Sequence, residues 1–70
     1  MHYQATQNLP DQVRIHLPDH AQKIFMAAFN NINEEYGEEE RAVRVAWSAV
    51  KRDYVKGKEG QWRPKNRHSG

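Results

Sequence analysis

Two histidines of this chain have a spacing that could coordinate a metal ion. His16 and His20 lie four positions apart, which is a metal-binding spacing when both side chains project from one uninterrupted helix. Pro18 interrupts that helix, and the further ligands would have to be His2 and His68, from opposite ends of the chain. We therefore expect no metal site here, and we interpret His20 as a hydrogen-bonding residue in the first turn of a helix.

A cluster of five glutamates is the second group that could bind a cation. A selective calcium site needs about six to eight oxygen ligands that converge from a loop of defined geometry, and the cluster contains no such loop. The sequence therefore favours a solvated acidic junction between two helices over direct cation sensing. The glutamates occupy positions 34, 35, 38, 39 and 40.

Catalytic chemistry is not indicated by any residue pattern. Ser48 falls within a helical pattern, Ser69 lies in the basic C-terminal part, and no histidine or acid is placed by spacing to activate either hydroxyl. The chain has no cysteine, so it offers neither a thiolate metal site nor a disulfide. We expect a protein that is not an enzyme and that has no cofactor.

The charge of the chain is divided between its two parts. The net charge is +2, but residues 51–70 carry seven basic and two acidic residues, net +5, whereas residues 1–50 carry four basic and seven acidic residues, net −3. A solvated basic tail is the simpler interpretation, and an anionic partner is the functional one. For that partner we predict five contact residues: Lys56, Lys58, Trp62, Arg63 and Lys65.

The size and hydropathy of the chain exclude several classes of protein. Seventy residues make one domain with a small core. No run approaches the ~20 apolar residues of a membrane span, and the polar start lacks the basic and apolar regions of a secretory signal. We expect a soluble, cytoplasmic monomer without stable membrane insertion.

The motif Leu-Pro-Asp occurs twice, at 9–11 and at 17–19, and each copy is typical of a helix start. Proline suits the first turn because its missing N–H has no intrahelical partner there, and aspartate interacts favourably with the positive end of the helix dipole. We predict a first helix over about 10–16 and a second over about 18–36. The first helix should place three apolar residues on one side: Leu9, Val13 and Leu17.

Apolar residues at separations of three and four define one face on the second helix and one on a third. Gly37 supplies the left-handed residue that commonly ends a helix, so we predict a tight helical hairpin with the third helix over about 38–54. Trp47 is expected to be its central packing residue. The predicted faces comprise Ala21, Ile24, Phe25, Ala28, Phe29, Ile32 and Tyr36, and then Val43, Ala46, Trp47, Val50 and Tyr54, widened by Ala42, Val45 and Ala49.

Beyond the third helix the pattern becomes typical of a short β-ribbon. Gly57 and Gly60 bracket a charged turn that β-compatible residues flank. Because an isolated hairpin is marginal in water, we expect Trp62 to dock on the helices, and the segment around Tyr3 is a candidate third strand. Residues 64–70 have nothing to anchor them and are predicted to form a basic, disordered tail.

Together these elements predict a mainly α fold. It is a compact three-helix domain, made of a short helix and a long helical hairpin, with a small two-stranded β element near the C-terminus. This single domain is expected to span residues 1–63.

Several motifs occur in one order along the chain: the double Leu-Pro helix start, His20-Ala21-Gln22 with Ile24-Phe25, Ala28-Phe29-Asn30, the run from Val45 to Lys51 with Tyr54, and Gly60-Gln61-Trp62. In this order they resemble the ChaB family, over about 3–65. The resemblance implies a compact domain of three helices with a small β element, in agreement with the periodicity.

The resemblance also implies a function, although it transfers no catalytic or ligand residue. It implies regulation of cation transport, through the family's association with a calcium or sodium/proton antiporter. We expect a non-enzymatic regulatory or adaptor protein that contacts a protein partner, such as a cytosolic segment of that antiporter. The alternative is a small nucleic-acid-binding protein, which a pI near 9.2 and the position of Trp62 within the basic part would suit.

Overall fold

The computed structural model describes residues 3–65, and it confirms the predicted fold class. His2, His68, Ser69 and most of the predicted tail lie outside these residues. The elements are a 3₁₀ turn at Thr6–Asn8, α1 at Asp11–His16, α2 at Asp19–Tyr36, α3 at Glu39–Asp53, β1 at Tyr54–Lys56 and β2 at Trp62–Pro64. The strands form one antiparallel ribbon.

Both Leu-Pro-Asp motifs begin helices, as predicted. Pro10 and Pro18 are the residues immediately before α1 and α2, and each has an extended ψ. At the corner between the two helices, the Gln22 side-chain amide donates to the carbonyl oxygens of Arg14 at 3.2 Å and Leu17 at 2.8 Å. These bonds satisfy carbonyls at the end of α1, which has no further turn to pair them.

The two long helices pack along stripes in which every fourth residue is buried. Three alanines on these stripes have no exposed surface, which allows close approach of the two backbones. The region of the first helix adds three buried residues to the same core, as predicted from their spacing. The stripes are Ala21, Phe25, Phe29 and Asn33 on α2 and Ala42, Ala46 and Val50 on α3, and the three added residues are Leu9, Val13 and Leu17.

A line of ring contacts runs through this core. The Tyr3 ring lies 4.9 Å from Phe29, which stacks on Phe25 at 6.4 Å. Phe25 meets the Trp47 ring edge-to-face at 5.1 Å, and Trp47 stacks on Trp62 at 5.5 Å. Trp47 is therefore the central packing residue of α3, as predicted, although it is half-buried. The docking of Trp62 on the helices is also confirmed.

Three positions on the helical hairpin differ from the predicted faces. Tyr36 is 53% exposed because it is the last residue of α2, where the facing start of α3 is acidic, and its ring packs under the Arg41 guanidinium at 4.6 Å. Asn33 takes the buried position instead. Val43 is 39% exposed, because burial of Ala42 against α2 turns the next residue about 100° away.

The N-terminal segment pairs with a helix and not with a strand. The Tyr3 N–H donates to Asn30 Oδ1 at 2.8 Å, and Asn30 Nδ2 donates to the Tyr3 carbonyl at 2.7 Å. The Asn30 amide thus offers the donor and the acceptor that a neighbouring strand would supply. The candidate third strand is therefore wrong, and the described residues form a ribbon of two strands.

The sequence predicts a tail from Pro64 onward, whereas the structure pairs Pro64 with Tyr54 in the ribbon. The Lys65 N–H donates to the Asp53 carbonyl at 2.9 Å. Because hydrogen-bonded and non-hydrogen-bonded pairs alternate in an antiparallel ladder, Pro64 occupies a position where no N–H is needed. Pro64 and Lys65 therefore belong to the ribbon, while disorder of residues 66–70 stays a prediction.

Among the helices of residues 3–65, none combines the length and the apolar character needed to cross a membrane.

The left-handed stop at Gly37 leads to a first prediction. Its φ is 68°, and its N–H donates to the Asn33 carbonyl. No atom lies within 4 Å of an added Cβ, so Gly37→Ala should cost only conformational energy, about 1 kcal/mol. Gly37→Asn should cost less, because asparagine tolerates this conformation better. Urea unfolding of the three proteins measures the order, and equal midpoints would contradict it.

The pair of hydrogen bonds between the Asn30 side-chain amide and the Tyr3 backbone, here called the amide clamp, leads to a second prediction. Asn30→Ala removes both hydrogen bonds to Tyr3 and should lower the free energy of unfolding by about 1–3 kcal/mol. Asn30→Asp keeps the acceptor for the Tyr3 N–H, so that amide should exchange more slowly than in Asn30→Ala, but its second carboxylate oxygen replaces a donor and repels the Tyr3 carbonyl. Hydrogen exchange of the Tyr3 amide provides the local readout. If that amide exchanges at the same rate in all three proteins, the clamp does not hold the segment.

Candidate partner-binding groove

One side of α3, next to the face that packs on α2, forms the floor and one wall of an open groove. Val43 and Trp47 lie one turn apart on this side, and Arg44, Ser48 and Lys51 form the adjacent stripe. Residues separated by three, four and seven positions share one side of a helix. The groove is therefore built on the helix that also packs the core, and Trp47 belongs to both, because its ring contacts Phe25 of α2 as well as Trp62.

The ribbon and α1 complete the groove. Lys56 and Trp62 are cross-strand partners, so their side chains project from the same side of the ribbon. Lys58 and Glu59 come from the turn between the strands, and Gln12 lies on α1. The groove has a volume of about 1060 Å³, about twice that of each of two smaller depressions on residues 3–65.

A close contact between α1 and the ribbon turn closes one side of the groove. Gly60 has φ 90°, and a Cβ added there would lie 3.4 Å from Cε1 of His16. The Nδ1 atom of His16 is buried and has no hydrogen-bond partner within residues 3–65. Packing therefore joins α1 to the turn, and the positive φ favours a glycine at position 60.

The charge of the groove is strongly basic. Four cationic side chains line it against one carboxylate, Glu59. At one end, Glu39 and Glu40 form a separate shallow depression with Val43 and Arg44. An anionic ligand would thus be attracted to the ribbon side and repelled from the acidic helix junction. The cations are Arg44, Lys51, Lys56 and Lys58.

The structure does not bring the five predicted contact residues together on one surface, although Lys58 lies between the groove and a second depression. Lys56, Lys58 and Trp62 line the groove. Arg63 lies in a different depression beside the turn, because it follows Trp62 in an extended strand and projects from the opposite side. Lys65 lines neither surface and is exposed. Partner binding by these residues stays a prediction, and the geometry groups only the first three.

Sequence reasoning missed the contribution of α3 to this groove. Arg44 and Lys51 carry half of its cations, and Trp47 supplies the indole on which Trp62 stacks. The signal was present in the helical spacing, since 44, 47, 48 and 51 fall on one side of a helix. When charge is counted by chain segment, Arg44 is included in the acidic residues 1–50, so its contribution to the basic surface is not seen.

The candidate cation ligands are dispersed over the described residues. His16 lies in the groove, whereas the His20 ring packs 6.3 Å from Tyr54 in place of the predicted first-turn hydrogen bond. The glutamates at positions 34, 35, 38, 39 and 40 are exposed, and Glu38 pairs with Arg41 at 3.6 Å. Within residues 3–65, no group of three or more histidine, aspartate and glutamate side chains could hold a metal ion.

Comparison with known families gives a direct match. The family model ChaB matches residues 9–65, which include all three helices and the ribbon. The chain belongs to the ChaB family. The expected resemblance is therefore confirmed.

Relatives and a solved structure extend this assignment. The chain is 38% identical to the "putative cation transport regulator ChaB" of Escherichia coli strain K12, over 94% of this chain and all of that protein. The protein of the same name from Shigella flexneri gives the same values. An NMR solution structure of a ChaB protein superposes with a TM-score of 0.84 at 38% identity, covering 90% of this chain and 97% of that one. The ChaB fold thus extends over nearly the whole chain.

The stacked indoles lead to a third prediction. Trp62→Ala removes the partner of Trp47 and should lower the free energy of unfolding by about 2 kcal/mol. Trp47 then gains contact with water, so its fluorescence emission should shift to longer wavelength. Trp62→Phe retains a ring and should lose about half as much stability. An unchanged melting temperature in Trp62→Ala would show that the ribbon is not held by this contact.

Proposed function

We propose that this chain is a non-enzymatic regulatory or adaptor protein that acts by direct contact with another protein. The observation that supports it is the convergence of four cations on two stacked indoles in one open groove. The name of its relatives, which refers to regulation of cation transport, supports the regulatory role. The groove is the contact surface in this proposal.

The partner we propose is an acidic cytosolic segment of a cation antiporter, which places the regulator in the cytoplasm. Carboxylates of such a segment pair with Arg44 and Lys51 on α3 and with Lys56 and Lys58 on the ribbon. An exposed ion pair contributes only about 0.2–1 kcal/mol, so several pairs are needed together. Four weak pairs give a contact that forms and dissociates readily, which suits regulation.

Nucleic acid is the second candidate partner, because the same four cations would neutralise phosphates. One observation argues against base recognition. Trp62 already stacks on Trp47, so only its outer face is available for an unpaired base. A single-stranded oligonucleotide that fails to bind at low salt, where phosphate contacts are strongest, would remove this candidate.

Charge reversal in the groove tests the proposal. The double variant Arg44→Glu and Lys56→Glu should weaken binding of the antiporter's acidic segment at least about tenfold, because two attractions become repulsions. Isothermal titration of the full chain with the synthetic segment gives the affinity. NMR amide shifts of the unchanged protein give the location.

A matched variant separates groove charge from net charge. Lys23→Glu with Arg52→Glu changes the net charge by the same amount at two exposed residues that do not line the groove. It should retain nearly full affinity at physiological salt, because screening weakens distant charges. If both double variants lose affinity equally, or if the amide shifts avoid the groove, the proposed contact surface is wrong.

A further inference from the structure

Val43 is an exposed apolar side chain placed beside the two indoles of the groove. Its exposed fraction is 39%, and it lines the groove with the half-buried Trp47 and Trp62. The groove therefore combines an apolar floor with basic walls. Three other large apolar side chains of residues 3–65 are exposed, and none of them lines the groove: Ile15, Tyr36 and Val55.

Helix geometry places the apolar floor and two of the cations on adjacent stripes. Val43 and Trp47 are four residues apart, as are Arg44 and Ser48, and Lys51 follows one turn further. Arg44 and Lys51 are separated by about 10 Å along the axis. A segment that covers the apolar stripe therefore passes both cations, and its carboxylates meet them while its apolar side chains face α3.

Ion pairs alone would make this surface unselective. Exposed pairs are individually weak and are screened by salt, so any acidic chain would bind to a similar extent. Burial of apolar area is not screened and depends on close contact. The exposed Val43 beside two partly accessible indoles therefore favours a partner with apolar side chains, a selectivity that charge alone does not provide.

We infer that the groove takes an acidic protein segment that carries large apolar side chains among its carboxylates. The inference rests on the proposed function, because it concerns the same groove and specifies the chemistry of its partner. The carboxylates pair with the four cations of the groove, and the apolar side chains cover Val43 and the accessible parts of the indoles. An acidic segment without apolar side chains is a poor ligand.

Two synthetic peptides of equal length and equal charge test this inference with the full chain. One carries leucines among its glutamates, and in the other every leucine is replaced by serine. We expect the leucine peptide to bind about tenfold more tightly, because its side chains leave water on binding. NMR should show the largest shifts at the Val43 and Trp47 amides and at the Trp62 indole N–H.

Val43→Ser is the matching change in the protein. It should weaken binding of the leucine peptide about fivefold and leave binding of the serine peptide unchanged. The protein change and the peptide change then form a double-mutant cycle whose coupling is that fivefold difference in affinity. Ile15→Ser is the control, because Ile15 is 62% exposed and lies outside the groove. This variant should preserve the full discrimination between the two peptides.

Each other outcome overturns the inference. Equal affinity for both peptides would mean that the groove responds to charge alone, and the proposed function would stand without the apolar requirement. Failure of both peptides to bind would overturn the inference and the proposed contact surface together. Self-association of the free chain in analytical ultracentrifugation, abolished by Val43→Ser, would mean that a second copy covers the floor in place of a partner.

Discussion

The structure depends on a continuous line of ring contacts that joins the N-terminal segment, both long helices and the ribbon. A domain of this size buries little surface and has a small margin of stability. Each aromatic pair contributes about 0.5–1.5 kcal/mol beyond simple burial, so the four contacts form a large part of that margin. The line also ends in the groove, at Trp62. The line is Tyr3, Phe29, Phe25, Trp47 and Trp62.

The orientation of α3 about its own axis determines both which residues enter the core and which line the groove. Ala42 and Ala46 face α2 with no exposed surface, and their small side chains leave room for the phenylalanine rings of the opposite helix. Val43 and Arg44 must then face away from α2. A larger residue at Ala46 would rotate or displace α3, and the groove would change with it. Packing and the candidate binding surface are therefore two consequences of one helix orientation.

Sequence reasoning succeeded where a structural feature depends on nearby residues. Gly37 ends α2 with the left-handed conformation that few other residues adopt readily, so its residue type is sufficient evidence. The exposure of Tyr36 depends on what the start of α3 places opposite it, and periodicity within one helix carries no information about that.

Only part of the groove's lining could be predicted from the sequence, because some of its residues are close in sequence and others are brought together by packing. Its ribbon cations are close in sequence, whereas Arg44 and Lys51 join them only after α3 packs. The alternation of side chains along a strand could have shown from the sequence that Arg63 and Trp62 project from opposite sides of the ribbon.

Helix electrostatics account for some of the charge division and not for the rest. Glutamates at the start of α3 and basic residues in its last turn, Lys51 and Arg52, are the arrangement that the helix dipole favours. That effect fades within one turn, and Lys56 and Lys58 lie beyond the end of the helix on the ribbon. Arg44 lies before the last turn of α3. Helix stability alone therefore does not explain why these three cations line one groove with the stacked indoles, whereas the proposed contact with an anionic partner requires this arrangement.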